Sequence, residues 1–317
     1  MDLLDKKILC ELDRNCRIPY SQIGRKVHAS RAVVGYRVRL LEQNGIIKKY
    51  ITSINLGKLG FSTYKVYFKL FTSNNGEEFL SYICSKNSII HCIKTFGAFD
   101  VTAVIAVKSI QELDELMTDI KNKYSKIIHK YSLEIIVSSN VFGRLKFLLD
   151  EKEMVKTETF ASYTKSIELD EEDKKILKIL SLDASTSVMK IAMATKLGAD
   201  SVAYRIKKLQ KEGIVSNFRV EFSAGKLGVY HYVFLLNLKS CTQKEEQRLI
   251  TWCQLNKKVI YINKSVGAWE YSLNVILKDI DDINLFVSSL EKDFSNMIDS
   301  YETILNKEVI KLTYYPH

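Results

Sequence analysis

"GYRVRLLEQNGII" spans Gly35–Ile47, and "AYRIKKLQKEGIV" spans Ala203–Val215. Each is a basic, amphipathic segment whose apolar residues recur at helical spacing, stopped by a glycine that supplies the left-handed turn a helix end needs. Working outward, Asp5 aligns with Asp173 at an offset of 168 residues, so that "DKKILCEL" lies over "DKKILKIL" and "NLGKLGF" over "FSAGKLGV". With two residues inserted, "FGAFDVTAVIAVKSIQEL" then falls over "VGAWEYSLNVILKDIDDI". The chain reads as one module of about 150 residues written twice. Its 317 residues suit that reading, because single cores stop growing near roughly 250 residues.

Each module changes character midway. Its first part carries helical periodicity: in the first copy Leu4, Ile8, Leu9 and Leu12 mark one helix, Tyr20, Ile23 and Val27 a short second, and Val34, Val38 and Leu41 a third. Ser30 is placed to cap the third helix and Gly45 to end it. The extended stretch "IIKKYITSIN" follows, and three short helices with a strand pair make the winged helix-turn-helix pattern. The rest predicts strand-helix-strand-strand-helix-strand: "TYKVYFKLF", "GEEFLSYICSK", "SIIHCIKTFG", "AFDVTAVIAVK", "IQELDELMTDIKNK" and "YSLEIIVSSNV". That order is ferredoxin-like, with helices on one face of a sheet and an apolar opposite face to bury against another sheet. The expected class is α+β: a winged helix-turn-helix plus a ferredoxin-like βαββαβ domain, repeated twice in tandem. The boundaries read 1–55 and 60–149, then 169–223 and 228–317, with 150–168 as linker. That linker holds no Gly or Pro and enough Glu, Lys and Met to continue as helix.

A net charge of +10 implies an anionic partner, of which nucleic acid is the commonest and an acidic membrane surface the next. No run of 18 or more apolar residues occurs, and "MDLLDKKIL" is neither a signal nor a transit peptide, so no membrane partner is expected and the location reads as cytoplasmic, nucleoid-associated if prokaryotic. Cys10, Cys16, Cys84, Cys92, Cys241 and Cys253 show no zinc spacing and read as reduced thiols, with Cys84 and Cys92 the one pairing left open. No metal, cofactor or catalytic constellation is expected.

The ordered set "LLDKKIL", "NCRIPYSQIGRKVHAS", "VVGYRVRLLEQNGIIKKY", "LGKLG" and "FGAFD", found twice over nearly the whole chain, resembles the Lrp/AsnC (feast/famine) transcription regulators. The resemblance implies binding of double-stranded DNA through the winged helix-turn-helix and homo-oligomer formation through the ferredoxin-like sheets. It also implies tuning by an amino acid or a related metabolite. The typical member carries one module per chain; this chain fuses two, in effect imitating a dimer internally.

With Val34, Val38 and Leu41 facing the core, the opposite face of the third helix offers Ser30, Arg31, Ala32, Gly35, Tyr36 and Arg39 to DNA. Arg31 is suited to a guanine edge, Ala32 to a thymine methyl, and Gly35 to close approach. Lys48 and Lys49 extend the contact from the wing, and Arg17 and Arg25 from the second helix. The alternative for these residues is a solvated basic face, and Arg37 reads as a structural clamp. In the second copy Ser30, Arg31 and Ala32 become Gly198, Ala199 and Asp200, so the cap is lost or moved and a carboxylate stands where phosphates would lie. Lys207 and Lys208 still give that helix a basic flank. Residues 1–50 carry eleven basic and five acidic side chains, or +6, while 170–219 carry ten and seven, or +3. The first copy therefore reads as the sequence reader.

In the family the "GAFD" and "GAWE" stretches line an amino-acid pocket. That makes Gly97, Asp100, Gly267 and Glu270 the expected effector contacts, the alternative being that the glycines only turn the chain and the carboxylates are solvated. Two rival functions remain open. Sirohaem decarboxylases share the doubled architecture, but their chemistry needs gathered histidines, and His28, His91, His129, His231 and His317 are scattered. A metabolite-sensing scaffold without DNA binding is the other.

Overall fold

The computed structural model describes residues 1–71, 76–149, 157–162 and 165–316. The first module runs α1 (Leu3–Arg14), α2 (Tyr20–Val27), α3 (Arg31–Gln43), β1 (Ile47–Ile54), β2 (Ser62–Leu70), α4 (Gly76–Ser85), β3 (Ile89–Gly97), β4 (Val101–Val107), α5 (Ile110–Tyr124) and β5 (Ile128–Val141). A short strand, β6 (Glu158–Ala161), leads to the second module. That module repeats the order as α6 (Glu171–Leu182), α7 (Val188–Thr195), α8 (Ala199–Lys211), β7 (Val215–Phe222), β8 (Tyr230–Leu238), α9 (Gln243–Leu255), β9 (Val259–Gly267), β10 (Tyr271–Leu277), α10 (Ile280–Phe294) and β11 (Ile298–Leu312). Gly45 and Gly213 both sit at φ +69° directly after α3 and α8, which is the left-handed stop expected of them.

The strand after each third helix departs from expectation. No hairpin wing forms within a module; instead β1 pairs antiparallel with β7 of the other module, Ile51 opposite Arg219. Helix α1 packs on β7 and α6 on β1, so each helical trio rests on the strand of its twin. The two trios therefore share one core, running through Ile8, Leu12, Val38, Ile176, Leu180, Ile206 and Leu209. Several kilocalories per mole of apolar burial cross the boundary between modules, so the helix-turn-helix units are one body.

Below this body, the two ferredoxin-like sheets have the orders β5-β2-β4-β3 and β11-β8-β10-β9, and they close on each other. The long last strand of each module crosses over: β11 pairs with β8 and then β3, and β5 pairs with β2 and then β9, all antiparallel. The result is a closed eight-stranded barrel with β6 added beside β5. Closure removes the sheet edges that would otherwise recruit another chain. Helices α4 and α5 cover one sheet with Phe79, Ile83, Met117 and Ile120, and α9 and α10 the other with Leu249, Phe286 and Leu290.

The inner faces differ from expectation too. Only the middle of the barrel is apolar, filled by Tyr67, Phe99, Val233, Leu235, Trp269 and Ile304. The remainder is lined by buried Lys65, Thr95, Thr102, Glu134, Asn263, Ser265, Ser272 and Asn274. The reason lies in the alternation of β2, where Tyr64, Val66 and Phe68 meet the helices while Lys65 and Tyr67 point inward.

The linker also departs from helix where it is described. Glu158–Ala161 is a strand, paired Ser138 to Ala161 and Val141 to Glu158, while 150–156 and 163–164 lie outside the described residues. All six cysteines are free, and the Cys84 thiol is hydrogen-bonded by that of Cys92. No helix among the described residues is long and apolar enough to cross a membrane.

Candidate nucleic-acid interface and effector region

Helix α3 starts cleanly because the Ser30 hydroxyl accepts from the Val33 N–H at 3.2 Å. With Val34, Val38 and Leu41 buried, Arg31, Ala32, Tyr36 and Arg39 stand exposed on the outer face, joined by Arg25 of α2 and Lys48 of β1. Four of these six exposed residues are basic and one is aromatic, a set of side chains that suits phosphate and base contact.

Four expected contacts are placed elsewhere. Arg17 donates from Nη1 to the carbonyls of Ala184 (2.6 Å) and Thr186 (2.7 Å) and lies over the Phe218 ring, tying the two helical trios together. Lys49 turns the other way because β1 joins β7, and its Nζ donates to the Leu312 carbonyl at 2.7 Å. Gly35 is buried against the Tyr20 ring, whose Cδ2 lies 3.4 Å from where a Cβ would sit, so it faces the packing between α2 and α3 and not the outer surface. Lys208 bonds Asp173 at 3.2 Å, on the flank of its helix. Arg37, read as a clamp, holds Asp2 at 2.8 Å and Asp5 at 3.3 Å; its twin Arg205 holds Asp170 and Asp173, each at 2.7 Å. Arg219 of β7 is buried and paired with Asp13 at 3.0 Å and with Glu158.

The equivalent helix of the second module, α8, is differently equipped. Gly198 gives α8 no side-chain cap, Asp200 is exposed at its first turn, and Lys207 is exposed farther along. One difference escaped the sequence reading. Where α2 presents Ser21 and Arg25, α7 presents Met189 and Met193, which are 62% and 78% exposed. The offset of 168 aligns these pairs, so the signal was available in the repeat itself.

Between the "GAFD" and "GAWE" turns lies a cluster of aromatic rings. Phe99 and Trp269 fold inward onto Tyr67, with ring centroids 5.4, 5.0 and 5.5 Å apart. Asp100 accepts from the Leu70 N–H at 2.8 Å and from Lys69 at 3.0 Å, and Glu270 accepts from the Leu238 N–H at 2.7 Å. Each carboxylate thus closes the end of a strand. Gly97 (φ +118°) and Gly267 (φ +136°) lie where the crossing strand's carbonyl comes within 2.7 and 2.4 Å of a would-be Cβ, from Thr303 and Leu133. The two glycines thus serve the joint between the modules, and the two carboxylates hold strand ends within their own modules.

Polar groups inside the barrel are unevenly settled. The His231 ring is held by Asn274 Oδ1 at 3.0 Å and by Asn306 Nδ2 at 3.1 Å, and burial drives its pKa down to about 4. His91, lowered to about 4 by burial, donates from its ring to the Thr313 backbone and leaves Nε2 without a partner among the described residues. Burial likewise lowers the Lys65 pKa, against the opposing pull of Glu134.

A pair of helix-turn-helix units, one with exposed basic side chains on the outer face of its third helix, mounted on a closed barrel, defines the class of helix-turn-helix DNA-binding proteins. Residues 1–48 match a family model for winged helix-turn-helix DNA-binding domains, and residues 169–210 match the AsnC-type helix-turn-helix domain. The HTH-type transcriptional regulator LrpB of Bacillus subtilis is 31% identical over 120 residues, 38% of this chain and 80% of the relative. LrpA of the same organism is 30% identical over 138 residues, 43% of this chain and 98% of the relative. The chain belongs to the Lrp/AsnC family of DNA-binding transcription regulators, and it joins two of the family's modules in one polypeptide. Over its whole length the fold is similar to the crystal structure of the siroheme decarboxylase NirDL, with a TM-score of 0.65 at 13% identity, covering 99% of this chain and 94% of that one.

Proposed function

We propose that the chain is a sequence-specific regulator in which α3 reads base edges, while α8 contributes phosphate contacts or serves only as scaffold. The observation that carries this reading is the exposed Arg31 at the capped tip of α3, against the exposed Asp200 at the uncapped tip of α8. A guanidinium there can bond a guanine edge twice, whereas a carboxylate there repels the backbone. Internal pairing of the modules supplies the twofold arrangement that single-module regulators obtain by dimerising. Homo-oligomer contact through the inner sheet faces, as the sequence suggested, is already satisfied within the chain; any wider assembly would use other surfaces.

The test is affinity for DNA fragments selected from a random pool. Arg31→Ala is expected to weaken binding about 10- to 100-fold and to relax one base position, while Lys207→Ala costs a few-fold at most, evenly across sequences. Affinity should also fall steeply with salt. An equal or larger loss from Lys207→Ala would reverse the roles of the two helices. Absence of enrichment at low salt would leave the scaffold reading standing. Chemistry like that of the decarboxylase is a second reading, favoured by the whole-length likeness of fold. His231 is bonded on both ring nitrogens, so among the described residues His91 is the barrel histidine with a bare nitrogen. A Soret absorbance on the purified protein would favour that reading.

A further inference from the structure

A cavity of about 250 Å³ lies where the helix-turn-helix body meets the barrel, lined from above by Asn55 and Arg219 and from below by Thr63, Lys65, His91 and Tyr261. Some of its polar groups pair with one another, as Ser139 does with Asn263 and Arg219 with Glu158, but others are left over. Lys65 Nζ, His91 Nε2, Asn55 Oδ1 and Arg219 Nε are all buried without a hydrogen-bond partner among the described residues. A single such orphan is tolerable; four converging on one cavity form a coherent set awaiting a complement. Lys65 is 7% exposed and makes no ion pair among the described residues, its Nζ lying 5.0 Å from the Tyr67 ring. The neighbouring Arg144 and Arg219 are held by Asp13, Glu221 and Glu158 and frame the cavity, while the Lys65 ammonium feels Glu134 without a hydrogen bond to it and is the cation left with its donors free to face the space.

The second module shows what a filled version looks like. Thr63, Val104 and Ile136 line the cavity, and their counterparts His231, Asn274 and Asn306 form the closed triad described above. Likewise Lys65, Tyr67 and Glu134 have the apolar counterparts Val233, Leu235 and Ile304. Only the first module keeps the space and the charge.

We propose that this cavity binds a small carboxylic acid bearing a hydroxyl or amino group, its carboxylate on Lys65 and its donor on His91 Nε2 and Asn55 Oδ1. The donor is required because the Asn55 oxygen only accepts, and His91, with its other nitrogen on the Thr313 backbone, accepts when neutral. The size is set by the cavity, which falls below the range of roughly 300–1,000 Å³ typical of drug-sized ligands. A ligand here touches both Asn55, just beyond β1, and Lys65 of β2, and so bears on the angle between the reading helices and the barrel. That regulatory consequence rests on the DNA-binding reading; the binding itself does not.

Isothermal titration of the full chain, without DNA, against malate, citrate, L-glutamate and L-leucine tests the site. At least one acid is expected to bind, with Lys65→Met weakening it 30-fold or more and Lys126→Met, on an exposed lysine outside the cavity, leaving it unchanged. Thr63→Phe, which fills the space without touching the charge, should abolish binding while leaving the thermal transition in place. No heat with any acid, or unchanged affinity in Lys65→Met and Thr63→Phe, would overturn the proposal. So would a tetrapyrrole carboxylate retained in the cavity with a Soret band. Loss of DNA binding with ligand binding intact would sink only the regulatory clause.

Discussion

The two modules agree where their third helices pack and differ at the outer tips of those helices and inside the barrel. Val34, Val38 and Leu41 of α3 correspond to Val202, Ile206 and Leu209 of α8, and all six are buried. The arginine clamps are repeated, and so are the glycine stops. The tips are not: Ser30, Arg31 and Ala32 stand against Gly198, Ala199 and Asp200, and Arg25 against Met193. In the barrel, charged Lys65 and Glu134 stand against Val233 and Ile304. Exposed tip residues carry little of the fold's stability, so the two copies can differ there without unfolding the chain.

The comparison breaks hardest where the modules hold each other. Gly97 and Gly267 occupy equivalent places, and the approaching carbonyls at 2.7 and 2.4 Å leave no room for a Cβ. Both also have a φ that L residues rarely adopt. Gly267→Ala is therefore expected to destabilise the chain by several kcal/mol, at the upper end of single substitutions, with Gly97→Ala close behind. Chemical denaturation measures this. If either variant unfolds at the wild-type midpoint, the crossing strands do not need these glycines, and an effector role for them becomes the better explanation.

Much of this was legible in the residues, and the limits have physical causes. The repeat, the helices and the ferredoxin-like order followed from periodicity, because core packing writes period 3.6 or 2 directly into the chain. Which strand pairs with which did not follow: β1 and β7 have the same alternation whether they fold back or pair with each other, so the wing was expected where an inter-module ladder stands. The fates of Arg17 and Lys49 depended on that pairing, as did the burial of Arg219. Strand β2 did announce the polar interior, since Lys65 alternates with Tyr64 and Val66, but a lysine at such a position reads equally as solvent-facing until the ring is seen to close.

A smaller asymmetry lies in the barrel histidines. His231 is fixed between Asn306 and Asn274, which assigns it the neutral tautomer with the proton on Nε2. Its pKa, about 4 against an ordinary 6.5, means the unfolded chain binds the extra proton first. Stability from this residue is thus complete above about pH 6.5 and lost as pH falls toward 4. The loss is on the order of 3 kcal/mol at the acid limit, since each pKa unit is worth about 1.4 kcal/mol. His231→Gln should flatten the fall in melting temperature between these pH values. An unchanged slope would mean that other buried groups, such as His91, carry the acid sensitivity.

The smallest expected effect is the most direct reading of the altered tip. Ser30 caps α3 through the Val33 N–H, while Gly198 leaves the equivalent donor of α8 without a side-chain acceptor. Ser30→Ala should cost about 1 kcal/mol. Gly198→Ser should gain only a few tenths, because glycine at a cap already adopts the extended geometry and lets water reach the N–H. Paired thermal melts of the two variants measure both, and neither change touches a charge. If Gly198→Ser also sharpened DNA binding, order at the tip of α8 would be what limits it, and Asp200 would matter less than its position implies. If stability rises and DNA affinity does not move, the second helix is held back by its residues and not by its fraying, as the contrast between Arg31 and Asp200 requires.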